Sequence, residues 1–391
     1  MKKYITSLAV LFLLIGCGQE STEGEDVVAE DSTAFIDEQE DVSDLNGYYK
    51  SYVGVIADIP VTVNIVQYSN TISGTYYYDK IGQIINLYGT SNPDSATGKI
   101  ILTEDPAVRS EDVSSIKWVL DINENIITGN WIDKKTHKSY KIDLKEDYTS
   151  AIPLGVIYKE DDRYYKGKET EPHATNTYQY IFPKRQDAKY VFTAIGKLTS
   201  CDVHSRNTLA QCIDKKNEEY YEVYFKDLAD MEEQGVYDKG YALNYGAAEN
   251  QYVYYNSNGW LCVSSYLWMY TGGAHGNYNS SYTCIDVSGT RIWSLDDVIN
   301  DKAALLPIVE KDVRKQFAIR KGQPLNSRLL VDEMHVTDNF FLTNKGLTFV
   351  YTSYEIASYA DGEVSVFVPY EQIAHLLTPA FKKRMNMNEP I

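Results

Sequence analysis

Apolar and polar positions alternate most regularly between Trp260 and Val287. The alternation stops only at a glycine-rich apex, residues 270–277, and resumes beyond it. A period of two is typical of half-buried strands, and clustered glycines permit left-handed backbone or close approach of another segment. The pattern therefore predicts a β-hairpin. Cys262 and Cys284 are equidistant in sequence from the apex, so we expect antiparallel pairing to place them opposite each other, joined by a disulfide.

Shorter β-type runs fill residues 47–150, which we predict to be an all-β domain. Eight runs rich in β-branched and aromatic residues are separated by turn formers, without a helical segment among them. The runs are 48–55, 61–67, 71–78, 83–88, 99–103, 116–122, 126–131 and 140–144. Closely spaced short strands of this kind predict a small barrel or a sandwich.

In the second half of the chain, segments with the hydrophobic spacing of helices occur between the strand-like runs. We therefore expect an α+β domain over residues 178–380. Strands are predicted at 178–182, 190–195, 340–342, 347–351 and 364–368, and helices at 217–234, 305–317 and 370–377. Residues 151–177 carry dense charge with several prolines and glycines, which favours an interdomain linker with room for one strand at 155–158, and 381–391 form a tail. The predicted fold class is thus α+β and predominantly antiparallel β: an all-β small barrel or sandwich followed by an α+β domain.

The N-terminus has the pattern of a targeting signal. Residues 1–17 combine two lysines, a short apolar run and a small-residue site that ends at Cys17. This resembles a bacterial lipoprotein signal, which implies a lipid on Cys17 and a protein anchored to a membrane outside the cytoplasm. The next stretch, 18–46, has eleven carboxylates and no lysine or arginine, so we predict a disordered acidic tether. An outer membrane is the expected location if the cell has one.

Charge and cysteine content limit the classes of binding partner and the cellular compartments that suit this protein. The net charge is −18, and it falls to −9 once the signal's two lysines and the tether's eleven carboxylates are set aside. A moderately acidic surface makes nucleic acid an unsuitable partner, whereas a cationic protein is allowed. Apart from Cys17 there are four cysteines, which suits an oxidising compartment, and a Cys201–Cys212 pair would close a short loop. We expect no metal and no cofactor.

Motifs along the C-terminal half carry a family resemblance. They are Tyr270–Gly276, Trp293–Asp297, Gly346, Leu347, Phe349, Tyr351, Tyr354–Ala357, Tyr359, Ala360, Gly362, Val366, Pro369 and Tyr370. In this order they resemble, over about residues 180–380, a bacterial envelope domain. That domain is found in the extracytoplasmic region of lysozyme-sensing anti-sigma factors and beside the catalytic domain of some peptidoglycan deacetylases. Ser358 departs from the family pattern, where many relatives carry proline.

The candidate site follows from the apex and the later tyrosine-rich stretch. Its expected binding residues are Gly272, Gly273, His275, Gly276, Tyr354, Glu355 and Tyr359. His275 is a candidate catalytic residue, because a histidine can act as an acid or a base. The sequence offers, however, no nucleophile elbow, no free Cys/His pair and no paired-histidine metal motif. We therefore predict a protein that is not an enzyme, with a hydrolase near His275 as the least favoured hypothesis.

Two binding functions remain open. The resemblance implies a lipoprotein whose C-terminal domain binds a protein such as lysozyme, as a sensor or an inhibitor. The alternative is a module for peptidoglycan or another glycan. The chain has 34 tyrosines against 11 phenylalanines, more than one thin core requires, and tyrosine suits binding faces. Clusters such as 76–78, 252–255 and 278–282 are therefore expected to lie partly on such a face.

Overall fold

The first eight strands close into a β-barrel. The computed structural model describes residues 47–106, 115–184, 189–237 and 240–387, so the predicted signal, Cys17, the tether and the end of the tail lie outside the described residues. The barrel strands are β1 (Gly47–Ile56), β2 (Ile59–Tyr68), β3 (Thr71–Tyr78), β4 (Ile85–Thr90), β5 (Ile100–Pro106), β6 (Ile116–Asn123), β7 (Ile126–Asp133) and β8 (Lys138–Glu146). Each pairs antiparallel with the next, and β8 returns to β1. Of the two predicted architectures, the barrel is the correct one.

A buried carboxyl organises the polar part of the barrel core. Oε1 of Glu104 accepts hydrogen bonds from the Tyr76 hydroxyl at 2.6 Å, Trp118 Nε1 at 2.8 Å and Trp131 Nε1 at 2.6 Å. Burial nevertheless raises the pKa of Glu104 above its ordinary value, because desolvation outweighs these donors. Apolar residues such as Leu87 surround the group, so side chains occupy this region of the barrel.

A six-stranded sheet follows the barrel, in the order β14-β13-β12-β11-β10-β9. Its strands are β9 (Leu154–Tyr164), β10 (His173–Pro183), β11 (Tyr245–Ser257), β12 (Trp260–Tyr270), β13 (Asn277–Asp286) and β14 (Arg291–Trp293). Only the β10–β11 pair is parallel, and helices α1 (Lys189–Thr199) and α2 (Arg206–Glu233) connect these two strands. The predicted hairpin is therefore β12 and β13, in the expected register.

Two sequence predictions in this region are wrong. The supposed linker, 151–177, contains β9 and half of β10, whose eleven-residue antiparallel pairing includes the charged positions. These charges are accommodated by pairing with α2, as when Arg163 contacts Glu218. The predicted strand at 190–195 is helix α1, because its buried residues Val191, Ala194 and Ile195 are spaced three and four apart, on one helical face.

A three-stranded sheet covers the other face of the hairpin. It consists of β15 (Phe340–Leu342), β16 (Gly346–Tyr351) and β17 (Val364–Pro369). The accompanying helices are α3 (Leu295–Val298), α4 (Lys302–Gln316), α5 (Tyr370–Ile373) and α6 (Pro379–Arg384). Alternate hairpin residues enter different cores: Cys262 lies in the core under this sheet, whereas Leu261 and Val263 lie in the core under α1 and α2.

The barrel and the α+β region share cores and belong to one compact unit. Thr75 of β3 donates a hydrogen bond to the Val253 carbonyl at 2.8 Å, and Asn256 Nδ2 donates to the Tyr49 hydroxyl at 2.9 Å. Tyr77 of the barrel is buried in the same core as Trp260. None of the helices in the described residues has the length and apolar character needed to cross a membrane.

The cysteines give one confirmation and one correction. Cys201 and Cys212 form a disulfide that ties the end of α1 to α2. Cys262 and Cys284 face each other across the hairpin as predicted, but their thiols are free, with the Sγ atoms 3.5 Å apart. Each Sγ instead lies against a carbonyl of β15, Leu342 for Cys262 at 3.5 Å and Phe340 for Cys284 at 3.8 Å.

A tyrosine-lined cleft as the candidate functional site

The hairpin apex is a shaped turn. Gly272 and Gly273 adopt φ values of 89° and 108°, which L residues rarely adopt. A Cβ on Gly272 would stand 2.6 Å from the Ala242 carbonyl oxygen, so the close approach of another segment also requires glycine there. The Tyr270 hydroxyl donates to the Gly273 carbonyl at 3.1 Å and closes the turn.

The apex docks onto the tyrosine-rich loop that precedes β17. The Tyr359 hydroxyl donates to the Gly276 carbonyl at 2.8 Å, and the rings of Tyr359 and His275 stack with centroids 4.2 Å apart. Tyr354 stacks on Tyr359 at 5.9 Å and is 55% exposed. His275 Nδ1 lies 2.9 Å from the Gly276 carbonyl, an acceptor, so this nitrogen carries the proton. The structure thus brings four of the predicted residues together.

Glu355 is not part of that group. Its carboxylate accepts hydrogen bonds from the Thr352 amide and from the Thr352 hydroxyl, at 2.8 and 3.2 Å. Its other oxygen lies 2.8 Å from His335 Nε2. Both oxygens therefore organise their own loop, and the contribution of Glu355 to binding at the apex stays a prediction.

Directly below the apex lies a cleft of about 490 Å³. The barrel supplies one side from β3 and β4, the hairpin and β11 supply the floor, and β15 with the start of β17 supplies the third side. The residues lining it are Ser73, Gly74, Thr75, Asn86, Tyr88, Tyr252, Tyr254, Ser264, Tyr266, Tyr278, Ser280, Tyr282, Phe341, Asp361, Gly362, Glu363 and Ser365. The volume falls within the range of about 300–1,000 Å³ typical of ligand sites.

Tyrosine rings connect the apex to the interior of the cleft. Centroid distances are 5.6 Å from Tyr359 to Tyr278, 5.9 Å from Tyr278 to Tyr266, and 6.3 Å from Tyr266 to Tyr252. Burial, followed by the neighbouring tyrosines, raises the pKa of Tyr266 to about 12. Its hydroxyl therefore stays protonated at neutral pH and remains a hydrogen-bond donor.

Glu363 is the acidic group at the base of the cleft. One carboxyl oxygen accepts a hydrogen bond from the Ser280 amide at 3.0 Å. Desolvation by burial raises the pKa of Glu363 above its ordinary value despite this bond. Burial, followed by the negative charge of Glu363, raises the pKa of Tyr282, so the two groups lie close enough to interact.

The second acidic residue of the cleft is committed to its own loop. Asp361 Oδ2 accepts hydrogen bonds from the Ser358 amide at 3.2 Å and the Ser358 hydroxyl at 2.6 Å. The bond from the Ser358 amide belongs to a capping box between Ser358 and Asp361, which holds the turn before Gly362. Within the described ranges, no three His, Cys, Asp or Glu residues are grouped so that they could hold a metal ion.

Sequence reasoning missed Glu363 and the barrel side of the cleft. The signal for the floor was present, because tyrosines occur on three consecutive strands: Tyr252, Tyr266, Tyr278 and Tyr282 belong to β11, β12 and β13. The register pairs Ser264 with Tyr252 on one side and with Tyr282 on the other, which puts these residues on one face. The barrel residues have no comparable signal, since they come from a region almost 200 residues earlier.

Fold and cleft together define a β-rich protein in which an eight-stranded barrel and an α+β region share one concave polar site. Residues 295–371, from α3 into α5, match the family described as a protein of unknown function, DUF3298. That match includes Glu363 and the tyrosine-rich loop but not the hairpin. None of the curated proteins compared with this chain matches it.

Two solved structures are similar. One is a DUF3298 family member from Bacteroides fragilis, with 24% identity and a TM-score of 0.53 over 61% of this chain and 99% of that one. The other is a DUF3298 family protein from Pseudomonas aeruginosa, with 14% identity and a TM-score of 0.44 over 60% and 98%. The first similarity concerns the fold alone. It leaves about two fifths of this chain without a counterpart.

Proposed function

We propose that this protein is a glycan-binding protein of the bacterial cell envelope and that the tyrosine-lined cleft holds sugar rings. The observation that carries the proposal is the set of tyrosines from three neighbouring strands on one concave face. Tyrosine rings offer flat apolar faces together with a polar hydroxyl, the combination that suits a sugar's apolar face and its hydroxyls. Peptidoglycan is one candidate ligand in that location.

The rest of the lining has the chemistry of sugar recognition. Four serines, at positions 73, 264, 280 and 365, and Asn86 add short hydrogen-bonding groups between the aromatic rings. Such groups donate and accept without carrying charge, which matches sugar hydroxyls. None of the described residues lining the cleft is lysine, arginine or histidine, so a ligand recognised mainly through phosphate is disfavoured.

Binding without chemistry is the form of this proposal that the site favours. Glycoside hydrolysis generally uses two carboxyl groups that flank the scissile bond. Asp361 is engaged by Ser358, and Glu355 is engaged by Thr352 and His335. His275 is stacked on Tyr359 and bonded to the main chain. A hydrolase acting near His275 therefore stays the least favoured hypothesis.

The envelope location rests on the lipoprotein-like signal that ends at Cys17, which would anchor the chain by a lipid outside the cytoplasm, on the outer membrane where the cell has one. The disulfide between Cys201 and Cys212 suits an oxidising compartment. An acidic tether of about thirty residues would allow the folded part of the chain to bind ligands at some distance from the membrane surface. Radiolabelled fatty acid incorporation in the wild type, but not in a Cys17→Ser variant, would test the anchor.

Calorimetric titration with soluble peptidoglycan fragments and with cellotetraose tests the glycan proposal. We expect Tyr278→Ala to weaken binding about tenfold, because one aromatic contact contributes about 0.5–1.5 kcal/mol beyond buried area. Tyr140→Ala is the matched control, since Tyr140 is 39% exposed on the barrel and does not line the cleft. Absence of glycan binding, or equal weakening by both substitutions, would overturn the proposal.

A cationic protein such as lysozyme is the second candidate, favoured by apolar residues exposed near the apex. Leu267 and Met269 on β12 are 37% and 38% exposed, and Tyr354 is 55% exposed. Exposed apolar groups of this kind mark protein interfaces, and the chain is acidic. The family resemblance noted from the sequence supports this candidate too. A complex with lysozyme that weakens steeply between low and high salt, and that Met269→Ser weakens further, would establish it.

A further inference from the structure

We propose that the glycan bound in the cleft carries a free ammonium group, as in a 2-amino-2-deoxyhexose unit, and that this group pairs with Glu363. The inference rests on the proposed glycan-binding function and deepens it by naming the ligand's charge. It starts from an imbalance in the cleft, which contains carboxyl groups but, among its described lining residues, no basic side chain.

The surroundings of Glu363 leave its charge uncompensated. Among the described residues its hydrogen-bond partner is Ser280, through the main-chain amide at 3.0 Å and the side chain. The titratable groups of the cleft close enough to interact with its charge are Tyr254, Tyr266 and Tyr282, from β11, β12 and β13. Its own segment adds Asp361, a second acid. No cation in this set neutralises the carboxylate.

A bound ammonium group would correct this imbalance. Burying an unpaired carboxylate is unfavourable, and the raised pKa of Glu363 reports that cost. A cation placed beside the carboxylate would also lie near the tyrosine rings, whose faces attract positive charge. The same site therefore favours an amine over a neutral acetamido or hydroxyl group at the corresponding sugar position.

Alternative cations fit the cleft less well. A divalent metal ion requires several oxygen ligands, yet Asp361 is held by two hydrogen bonds from Ser358. The lysine side chain of a protein ligand would pair with Glu363. It has no ring, however, and would not stack on the row of tyrosines from Tyr278 to Tyr252. An amino sugar uses both features, because the amine and the ring belong to one unit.

The test compares three tetrasaccharides by calorimetry with the purified protein: glucosamine tetramer, its fully N-acetylated form, and cellotetraose. We expect the glucosamine tetramer to bind at least tenfold more tightly than the other two. Glu363→Gln should abolish this preference by lowering the affinity for the glucosamine tetramer, while its amide oxygen still accepts the Ser280 amide. Glu371→Gln, at an exposed position on α5 outside the cleft, is the matched control and should keep the preference.

A pH profile of the wild type gives a readout that does not depend on the variant's folding. Affinity for the glucosamine tetramer should fall at acid pH as Glu363 takes up a proton, and again at alkaline pH as the amine loses one, while cellotetraose affinity stays flat. Equal binding of all three sugars would overturn this inference and leave glycan binding intact. Absence of binding to all three sugars would overturn both this inference and the proposed glycan binding. A preference for the glucosamine tetramer that survives Glu363→Gln would show that Glu363 does not bind the amine.

Discussion

The Ser280 amide donates a hydrogen bond to Glu363 over 3.0 Å and thereby joins the middle of β13 to the residue preceding β17. Strand β14 pairs with β13 from Cys284 to Asp286, and no other strand of the described part of the chain pairs with the earlier part of that edge. Asn339 completes it by accepting from the Tyr282 amide and donating to the Ser280 carbonyl, each at 2.9 Å. Side chains therefore satisfy main-chain groups that a strand would otherwise pair.

The charge of Glu363 should destabilise the folded protein at neutral pH. Burial raises its pKa above the ordinary value of 4.5, so the folded state binds this proton more tightly than the unfolded state. The resulting stabilisation is present below pH 4.5 and is lost as the pH rises through the raised folded pKa. We expect Glu363→Gln to raise the free energy of unfolding at pH 7 by about 1 kcal/mol and to make little difference at pH 4.

Urea unfolding at a series of pH values from 4 to 8 measures this difference. Glu371→Gln serves as the control, because its side chain is exposed, and its difference from wild type should not follow the same profile. A stabilisation by Glu363→Gln that grows toward acid pH would show that the carboxylate is favoured in its charged form.

Loss of the Asn339 side chain should be costly. Besides its two bonds to β13, Asn339 Nδ2 donates to the Val350 carbonyl at 3.1 Å, so alanine would leave main-chain groups on two strands unpaired. We expect Asn339→Ala to lower the free energy of unfolding by about 2–4 kcal/mol. Asn279→Ala, at an exposed position of the same strand β13, should change it by less than about 0.5 kcal/mol. Similar effects of the two substitutions in denaturant unfolding would refute this role.

The sequence predicted those elements whose pattern is local. Each barrel strand alternates or is bounded by turn formers, and the apex glycines mark the hairpin, so both were expected at nearly their observed bounds. Closure as a barrel instead of a sandwich depends on β1 meeting β8 about 90 residues later, which no local pattern specifies. Helix α1 was missed because Tyr190, Val191 and Phe192 have strand propensity, whereas burial of Val191, Ala194 and Ile195 decides in favour of a helix.

The candidate site was predicted only in part for the same reason. His275, Gly276, Tyr354 and Tyr359 lie on the apex and on the tyrosine-rich loop, the two stretches from which the candidate site was predicted. Glu363 was passed over in favour of Glu355, eight residues earlier in the same stretch. Which of two acids in one loop faces a cleft is decided by the turn that Ser358 and Asp361 form, and that turn is visible only once the chain is folded.

The two hairpin thiols should be inaccessible in the folded protein. Cys262 and Cys284 are buried and free, and burial raises the pKa of Cys284 well above its ordinary value, which suppresses the reactive thiolate. In a Cys17→Ser background we expect no reaction with a thiol reagent under native conditions and two thiols per chain in denaturant. Fewer than two thiols in denaturant would show that the pair is oxidised.

Gly272 and Gly273, neighbours at the apex, allow the cost of backbone strain to be separated from the cost of a steric clash. Both have positive φ, so alanine at either position should cost about 1–2 kcal/mol of stability through backbone strain. A Cβ on Gly273 meets nothing within 4 Å, whereas one on Gly272 would stand 2.6 Å from the Ala242 carbonyl oxygen. We therefore expect Gly272→Ala to lower the free energy of unfolding more than Gly273→Ala, and to displace the segment around Ala242. Equal losses in the two variants would mean that the apex moves freely away from that segment and that the close approach does not constrain the turn.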